Sequence, residues 1–396
     1  MVYGTATGTA TGTADPQRTT RRSRGAHRLS GVAAGEATDR PGRQLPYVPA
    51  LDGLRAVAVL VVMASHTTLP VRGGSVGVDV FFALSGFLIT SLLLREHQHT
   101  GRIALRAFLL RRLLRLYPAL LALAAALTLY ALLTPHPVRG PETLAGVFPA
   151  LLYVGNWVRA LDGLGHLGLL EHTWSLAVEE QFYLLWPLVL WATLALTRRL
   201  AAVAVVAVTG SVASLVVRLF LTHDANSYGR IANGLDTQAD NLLAGCAAAV
   251  LVACTARSAL GATVVRRASA WLVGPSALLL TIAALYWPHH GDTDLLRAAM
   301  TGLAVAAGVL VTHVYVAREG RLARLLSWAP ITYTGRRSHG LYLMHYPAFV
   351  VLFNLGLQLG GWRTLALGFG TSLLAELSYR YVERPFLRLK DRIGPA

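Results

Sequence analysis

The sequence predicts an all-α membrane protein: a polytopic bundle of about ten transmembrane helices with both termini in the cytoplasm. Three observations carry that expectation. The 396 residues are 54% hydrophobic and only 14% charged, against about 25% charged residues in soluble domains. Apolar segments long enough to span a bilayer recur along the chain. Arg and Lys gather in alternate connections, the pattern that fixes orientation in a membrane.

Residues 1–46 differ in kind from the rest. A low-complexity run, GTATGTATGTA, precedes a basic stretch, RTTRRSRGAHR. No long apolar run follows at signal-peptide spacing, so a cleaved leader is not expected. The composition reads as a disordered basic cytoplasmic tail. Residues 47–390 form the transmembrane domain, and 391–396 a short C-terminal tail.

The apolar segments run over 50–69, 76–94, 116–134, 174–196, 200–220, 235–254, 270–287, 295–316, 338–357 and 364–382. The fourth contains Pro187 and the ninth Pro347; neighbouring helices can satisfy backbone groups that a proline frees. With the N-terminus inside, most of the 36 Lys and Arg residues fall on inner segments. The outer side keeps Arg72, Arg139, Arg159, Arg218, Arg230, Arg297 and Arg363. The excess of 36 Lys and Arg over 20 Asp and Glu is thus explained by topology, without nucleic acid. The inner connection 95–115 places Arg among leucines at three- and four-residue steps, predicting an amphipathic helix lying on the membrane surface. The outer connection 135–173 holds Tyr153, Trp157, Gly163 and Gly165 and is expected to cover the outer mouth. Cys246 and Cys254 share one apolar segment and read as small packing residues. No metal site and no permanently bound cofactor are expected.

Ionisable residues inside these segments are costly and mark function. Arg55 and His66 are eleven residues apart in LDGLRAVAVLVVMASH. That spacing is three helical turns plus about 20°, with a rise of about 16 Å, so both lie on one stripe. Asp79 opens the second segment after a short connection and can approach His66, orienting its ring; the competing reading is a helix cap. In EHTWSLAVEEQFYLLWP, His172, Ser175 and Glu179 recur on one face beside Trp174, and Glu179 is expected to line the same cavity as His66. Asp236 and Asp240, four apart, are either acid–base partners or charges complementing a helix dipole. Ser338, Tyr342 and His345 share a face of the ninth segment. Arg111, Arg112 and Arg115 can hold phosphate or contact anionic lipid.

Taken together these segments resemble the acyltransferase 3 family of ten-span membrane O-acyltransferases. The matching stretches are LDGLRAVAVLVVMASH, GVDVFFALSGFLITSLLL, FLLRRLLRLYP, HTWSLAVEEQFYLLWP, DTQADNLLAG, SHGLYLMHYP and SYRYVERPF, in family order across 47–390. The resemblance implies transfer of an acyl group, acetyl or short-chain, from cytoplasmic acyl-CoA to a hydroxyl. The acceptor would be a cell-envelope glycan or a glycosylated metabolite such as a macrolide. It maps the family's essential pair onto Arg55 and His66, catalytic carboxylates onto Glu179 and Asp79, and the donor-binding arginines onto Arg112 and Arg115 beside Arg111. His172, Trp174, Ser175, Asp236, Asp240, Ser338, Tyr342 and His345 would line the cavity. The chain departs from the pattern at Gln238, where arginine is usual, and at His339, Gly340, Met344 and Tyr346. Acyl-CoA is expected as a co-substrate, and the bacterial cytoplasmic membrane as the location. The alternative is a transporter or exporter of a small polar or glycan substrate. It would be favoured by matched broken helices in two halves, and the sequence has no such repeat.

Overall fold

The structure is a computed structural model that describes residues 46–392, apart from 68, 135–138, 162–166, 222–226, 287–293 and 355–361. All regular structure among the described residues is helical. In chain order the helices are α1 (Pro49–Ser65), α2 (Ser75–Thr100), α3 (Leu105–Leu133), α4 (Arg139–Leu151) and α5 (Gly155–Leu161). A 3₁₀ turn, Gly168–Thr173, leads into α6 (Trp174–Thr197) and α7 (Leu200–Phe220). Then come α8 (Ser227–Asn233), α9 (Leu235–Thr255), α10 (Ala259–Tyr286), α11 (Asp294–Val316), α12 (Arg321–Leu326) and α13 (Ala329–Arg336). The chain closes with α14 (Ser338–Asn354), α15 (Trp362–Ser378), a π turn at Tyr379–Glu383 and α16 (Arg384–Arg392). Among the described residues each apolar segment read from the sequence lies largely on a helix, the first ending early, at Ser65. Six stretches among the described residues are long and apolar enough to cross a membrane: α2, α3, α7, Tyr228–Thr255, α10 and Ala298–Val316.

Local chemistry sets the ends. Pro49 opens α1 with a preset φ and no N–H to satisfy, and Asp52 complements the helix dipole in its first turn. α1 stops at Ser65, and His66 is its C-cap, its N–H bonded to Met63 O at 3.1 Å. α2 ends where Gly101 turns left-handed at φ 69°.

Burial separates the inner helices from the outer ones. In α2 78% of the apolar window is buried, against 17% in α7 and 22% in α10. α2 is therefore central, and the apolar outer faces of α7 and α10 suit lipid. α2 and α9 approach with backbone nearly in contact. A Cβ on Gly86 would strike the Leu242 carbonyl, and one on Gly245 the Ala83 carbonyl. Small residues permit such contact in a membrane bundle, where packing rather than water drives helix association.

The structure corrects one expectation here. The basic stretch is not a separate surface helix: residues 105–115 are the first turns of the 29-residue α3, which runs on through Pro118. Leu and Arg are both strong helix formers, so nothing in that stretch ends the helix. Arg218, read at the outer end of the fifth apolar segment, lies in the last turn of α7, and its side chain is fully buried. Its Nη1 donates to Asp240 Oδ1 at 2.9 Å, and Nη2 pairs with Asp240 Oδ2. Thr301 on α11 joins the same pair, its hydroxyl donating to Asp240 Oδ2 at 2.9 Å. The outer connection expected to cover the mouth is built of α4, α5 and the 3₁₀ turn, and Gly163 and Gly165 lie outside the described residues.

Candidate active site

Arg55 and His66 open into two different cavities, one at each end of the stripe on α1. The Arg55 cavity is narrow, about 80 Å³. Arg55, Arg112, Arg115, Glu179, Ser175 and Ser338 are on its wall. The His66 cavity is wider, about 360 Å³, and its wall includes Arg72, Arg159, His172, Trp174 and His345. Val78 and Tyr342 belong to both walls, so they form the partition between the two chambers.

Four elements run along this axis in a consistent order. On α1 the path goes from Arg55 to His66. On α14 it goes the same way, from Ser338 in the first chamber through Tyr342 to His345 in the second. The 3₁₀ turn and α6 run oppositely, from His172 through Ser175 to Glu179, and α2 likewise from Ser75 through Val78 to Ser85. Helical periods of three and four residues keep each series on one face.

In the Arg55 chamber Arg55, Arg112 and Arg115 share the wall with one carboxylate, Glu179. Glu179 Oε1 accepts hydrogen bonds from Ser85 Oγ and Tyr183 OH, which are themselves joined at 3.0 Å. Arg112 lies over the Tyr183 ring, its Cζ 4.8 Å from the centroid. Arg55 meets Asp52 at 3.4 Å, and Asp52 also accepts from Tyr47 OH at 2.8 Å. A surplus of positive charge with planar, fork-shaped donors suits phosphate or carboxylate groups. Arg111 is not on this wall.

The His66 chamber is an assembly of rings. The His66 centroid lies 5.2 Å from that of His345, 5.6 Å from Tyr346 and 5.8 Å from Phe349. His172 stands 5.6 Å from His345 and 5.4 Å from Tyr346. Its Nε2 bonds Leu343 O at 3.0 Å. Burial, then the neighbouring His345 imidazole, hold His172 well below its ordinary pKa, so this ring is neutral. Tyr346 OH donates to Glu171 at 2.8 Å, and Arg159 sits 3.5 Å from the same carboxylate. At the partition Tyr342 OH and Ser175 Oγ are 2.6 Å apart, and Tyr342 OH donates to His172 O at 3.0 Å.

Several expected members stand elsewhere. Glu179 lines the Arg55 chamber and not the chamber of His66. Asp79, Asp236 and Asp240 are on neither wall. Asp79 is buried in α2 within electrostatic reach of Asp240 and Arg218. Asp236 is clasped by Arg230, whose Nη1 is 2.7 Å from Oδ1 and whose guanidinium covers Trp157. Both aspartates of α9 therefore hold arginines, a choice that four-residue spacing leaves open. Sequence reasoning missed Ser85, Tyr183 and Arg159, whereas Tyr346, singled out as a variant position, does line the His66 chamber. Tyr183 lies one turn beyond Glu179 and was detectable by period; Ser85 and Arg159 come from α2 and α5, which no period in α6 connects to it. Among the described residues no cluster of His, Cys, Asp or Glu could hold a metal ion. Cys246 is buried and free, its Sγ 3.5 Å from Gly86 O, in keeping with a packing role.

The family described as Acyltransferase domain matches residues 48–378. A putative peptidoglycan O-acetyltransferase of Bacillus subtilis, YrhL, is 33% identical over 353 residues, covering 86% of this chain and 55% of its own. The peptidoglycan O-acetyltransferase OatA of Listeria monocytogenes is 32% identical, with 86% and 56% covered. O-acetyltransferase OatA of Staphylococcus aureus is 33% identical, with 86% and 57% covered. The chain thus spans a little over half the length of these curated relatives. No solved structure matches it.

Proposed function

Because the chain belongs to the acyltransferase 3 family, we propose that it is a multi-pass membrane O-acyltransferase. On this reading it moves an acetyl or other short acyl group from cytoplasmic acyl-CoA to a hydroxyl of an envelope glycan or a glycosylated metabolite. The observation that carries this reading is the pair of chambers at the two ends of one helical stripe. A basic, narrow chamber suits the phosphates and extended arm of a thioester donor. A chamber of about 360 Å³ lined by imidazole and phenol rings suits a larger acceptor. The names of the relatives favour a glycan in that place.

The bundle crosses the bacterial cytoplasmic membrane about ten times, with the Arg55 chamber toward the cytoplasm. The directions of the lining helices support an alternating topology: the first and ninth apolar segments run one way, and the second and fourth run back.

Arg55, Arg112 and Arg115 hold the donor's phosphates. The thioester end passes the partition at Val78 and Tyr342 and comes to rest at His66. His66 takes the proton of the acceptor hydroxyl, whose oxygen attacks the acyl carbon. The new C–O bond forms and the C–S bond breaks. The departing thiolate takes the proton back from His66, leaving ester, thiol and a neutral imidazole. Holding both reactants in one enclosed place supplies much of the rate. Glu179, pinned by Ser85 and Tyr183, keeps the three arginines from repelling one another.

The test uses membrane vesicles containing the full chain, acetyl-CoA labelled in the acetyl group, and a glycan acceptor. Label should appear on acceptor hydroxyls in step with free thiol. Arg55→Ala should raise the donor KM roughly tenfold or more, the worth of one charge-assisted contact. An unchanged donor KM removes Arg55 from the donor site. Acceptor flux with no thioester consumed returns the chain to the transporter reading.

A further inference from the structure

Pro347 lies inside α14. A proline has no N–H for the carbonyl four residues back, so Leu343 O loses its helical partner. His172 takes the vacant place, its Nε2 3.0 Å from that oxygen. A carbonyl only accepts, so Nε2 carries the proton and Nδ1 of the neutral ring carries a lone pair. His345 is fixed in the opposite tautomer: Nδ1 donates to Tyr342 O, leaving the lone pair on Nε2. His172 Nδ1 and His345 Nε2 are both buried with no hydrogen-bond partner among the described residues.

Both rings are on the wall of the His66 chamber, edge to face, 5.6 Å apart. Two lone pairs cannot satisfy each other; each needs a donor. An ammonium ion would meet Arg72 and Arg159 across the same cavity. An anion would bring more lone pairs against the two nitrogens. Hydroxyl groups meet neither objection.

We infer that His172 and His345 form an acceptor-only cradle for hydroxyls of an uncharged polyol, and that this cradle sets the reacting hydroxyl beside His66. The inference rests on the reading of this chamber as the acceptor site. The backbone builds the cradle: Pro347 exposes the carbonyl that selects the tautomer of His172.

Binding of two neutral glycans, tetra-N-acetylchitotetraose and maltotetraose, to the purified full chain in lipid nanodiscs tests it by calorimetry. Wild type should bind at least one saturably. His172→Gln keeps an N–H for Leu343 O but loses the ring Nδ1. His345→Asn keeps a donor for Tyr342 O but loses Nε2. Each should weaken binding roughly tenfold. Pro347→Ala restores an N–H for Leu343 O and frees His172, so it should weaken binding too. It decides the matter if a histidine variant fails to fold. Wild-type affinity in the variants, or no saturable binding of either glycan by wild type, overturns the cradle. Acetyl-CoA cleavage by wild type is measured on the same preparations. Glycan binding as expected with no thioester cleavage leaves the cradle standing and removes the acyl-transfer reading instead.

Discussion

Arg218 and Asp240 have side chains with no exposed surface, and each is tolerable in that place only because of the other. Two ionic hydrogen bonds, a backbone acceptor at Thr237 and the hydroxyl of Thr301 satisfy most of their polar atoms. Removing one partner strands the other charge, at a cost of about 3–5 kcal/mol. Asp240→Asn should therefore lower the unfolding temperature of the detergent-solubilised chain well below that of Asp236→Asn. The Asp236 side chain is 41% exposed, and its ion pair is worth about 0–1 kcal/mol. Equal losses would show that the buried pair is not a clamp between α7, α9 and α11. The sequence displayed the two aspartates and their common face. It could not show which arginine each would meet, because Arg218 comes from another helix, α7.

At the scale of elements, the contact of α2 with α9 depends on having no side chain at Gly86 and Gly245. Gly86→Ala should push the helices apart, costing about 1–3 kcal/mol as overpacking does. Gly274→Ala, on α10, has open space around its new methyl group. It should be neutral or stabilising by up to about 1 kcal/mol, since alanine loses less chain entropy. Thermal unfolding of the two variants compares them directly; equal effects would remove the close approach as a cause. The long helices were legible because length and apolarity alone mark them, whereas the short connecting helices α4, α5, α8, α12 and α13 carry no such signal. The boundary of α3 was not: its basic residues look like a surface helix until the following span is seen to continue it without a break. Pro347 reads from the sequence as a break in the ninth segment, but α14 runs on through it; its use, exposing Leu343 O to His172, depends on an element 171 residues away.

For the whole molecule, the decisive relation is between one stripe and two chambers. Periodicity put Arg55 and His66 on one stripe; in the fold His66 caps α1 just beyond its last turn, and the two residues open into separate chambers. Periodicity also grouped His172 with Glu179 and Ser338 with His345. In the fold each of those series is divided by the partition at Val78 and Tyr342. A helical face shows which residues align, and only packing shows where a cavity ends. Asp79 illustrates the same limit: a short connection brings α2 to α1, but the rotation of α2 buries the carboxylate toward α9. A donor bound at Arg55 and an acceptor held by His172 and His345 can react only if His66 stands where they meet. The most direct measurement is the rate of acetyl transfer from acetyl-CoA to glycan by His66→Ala, expressed at the wild-type level in the same membranes. Loss of a general base predicts a fall of about 10²–10⁴-fold. Transfer within tenfold of wild type would place the chemistry elsewhere.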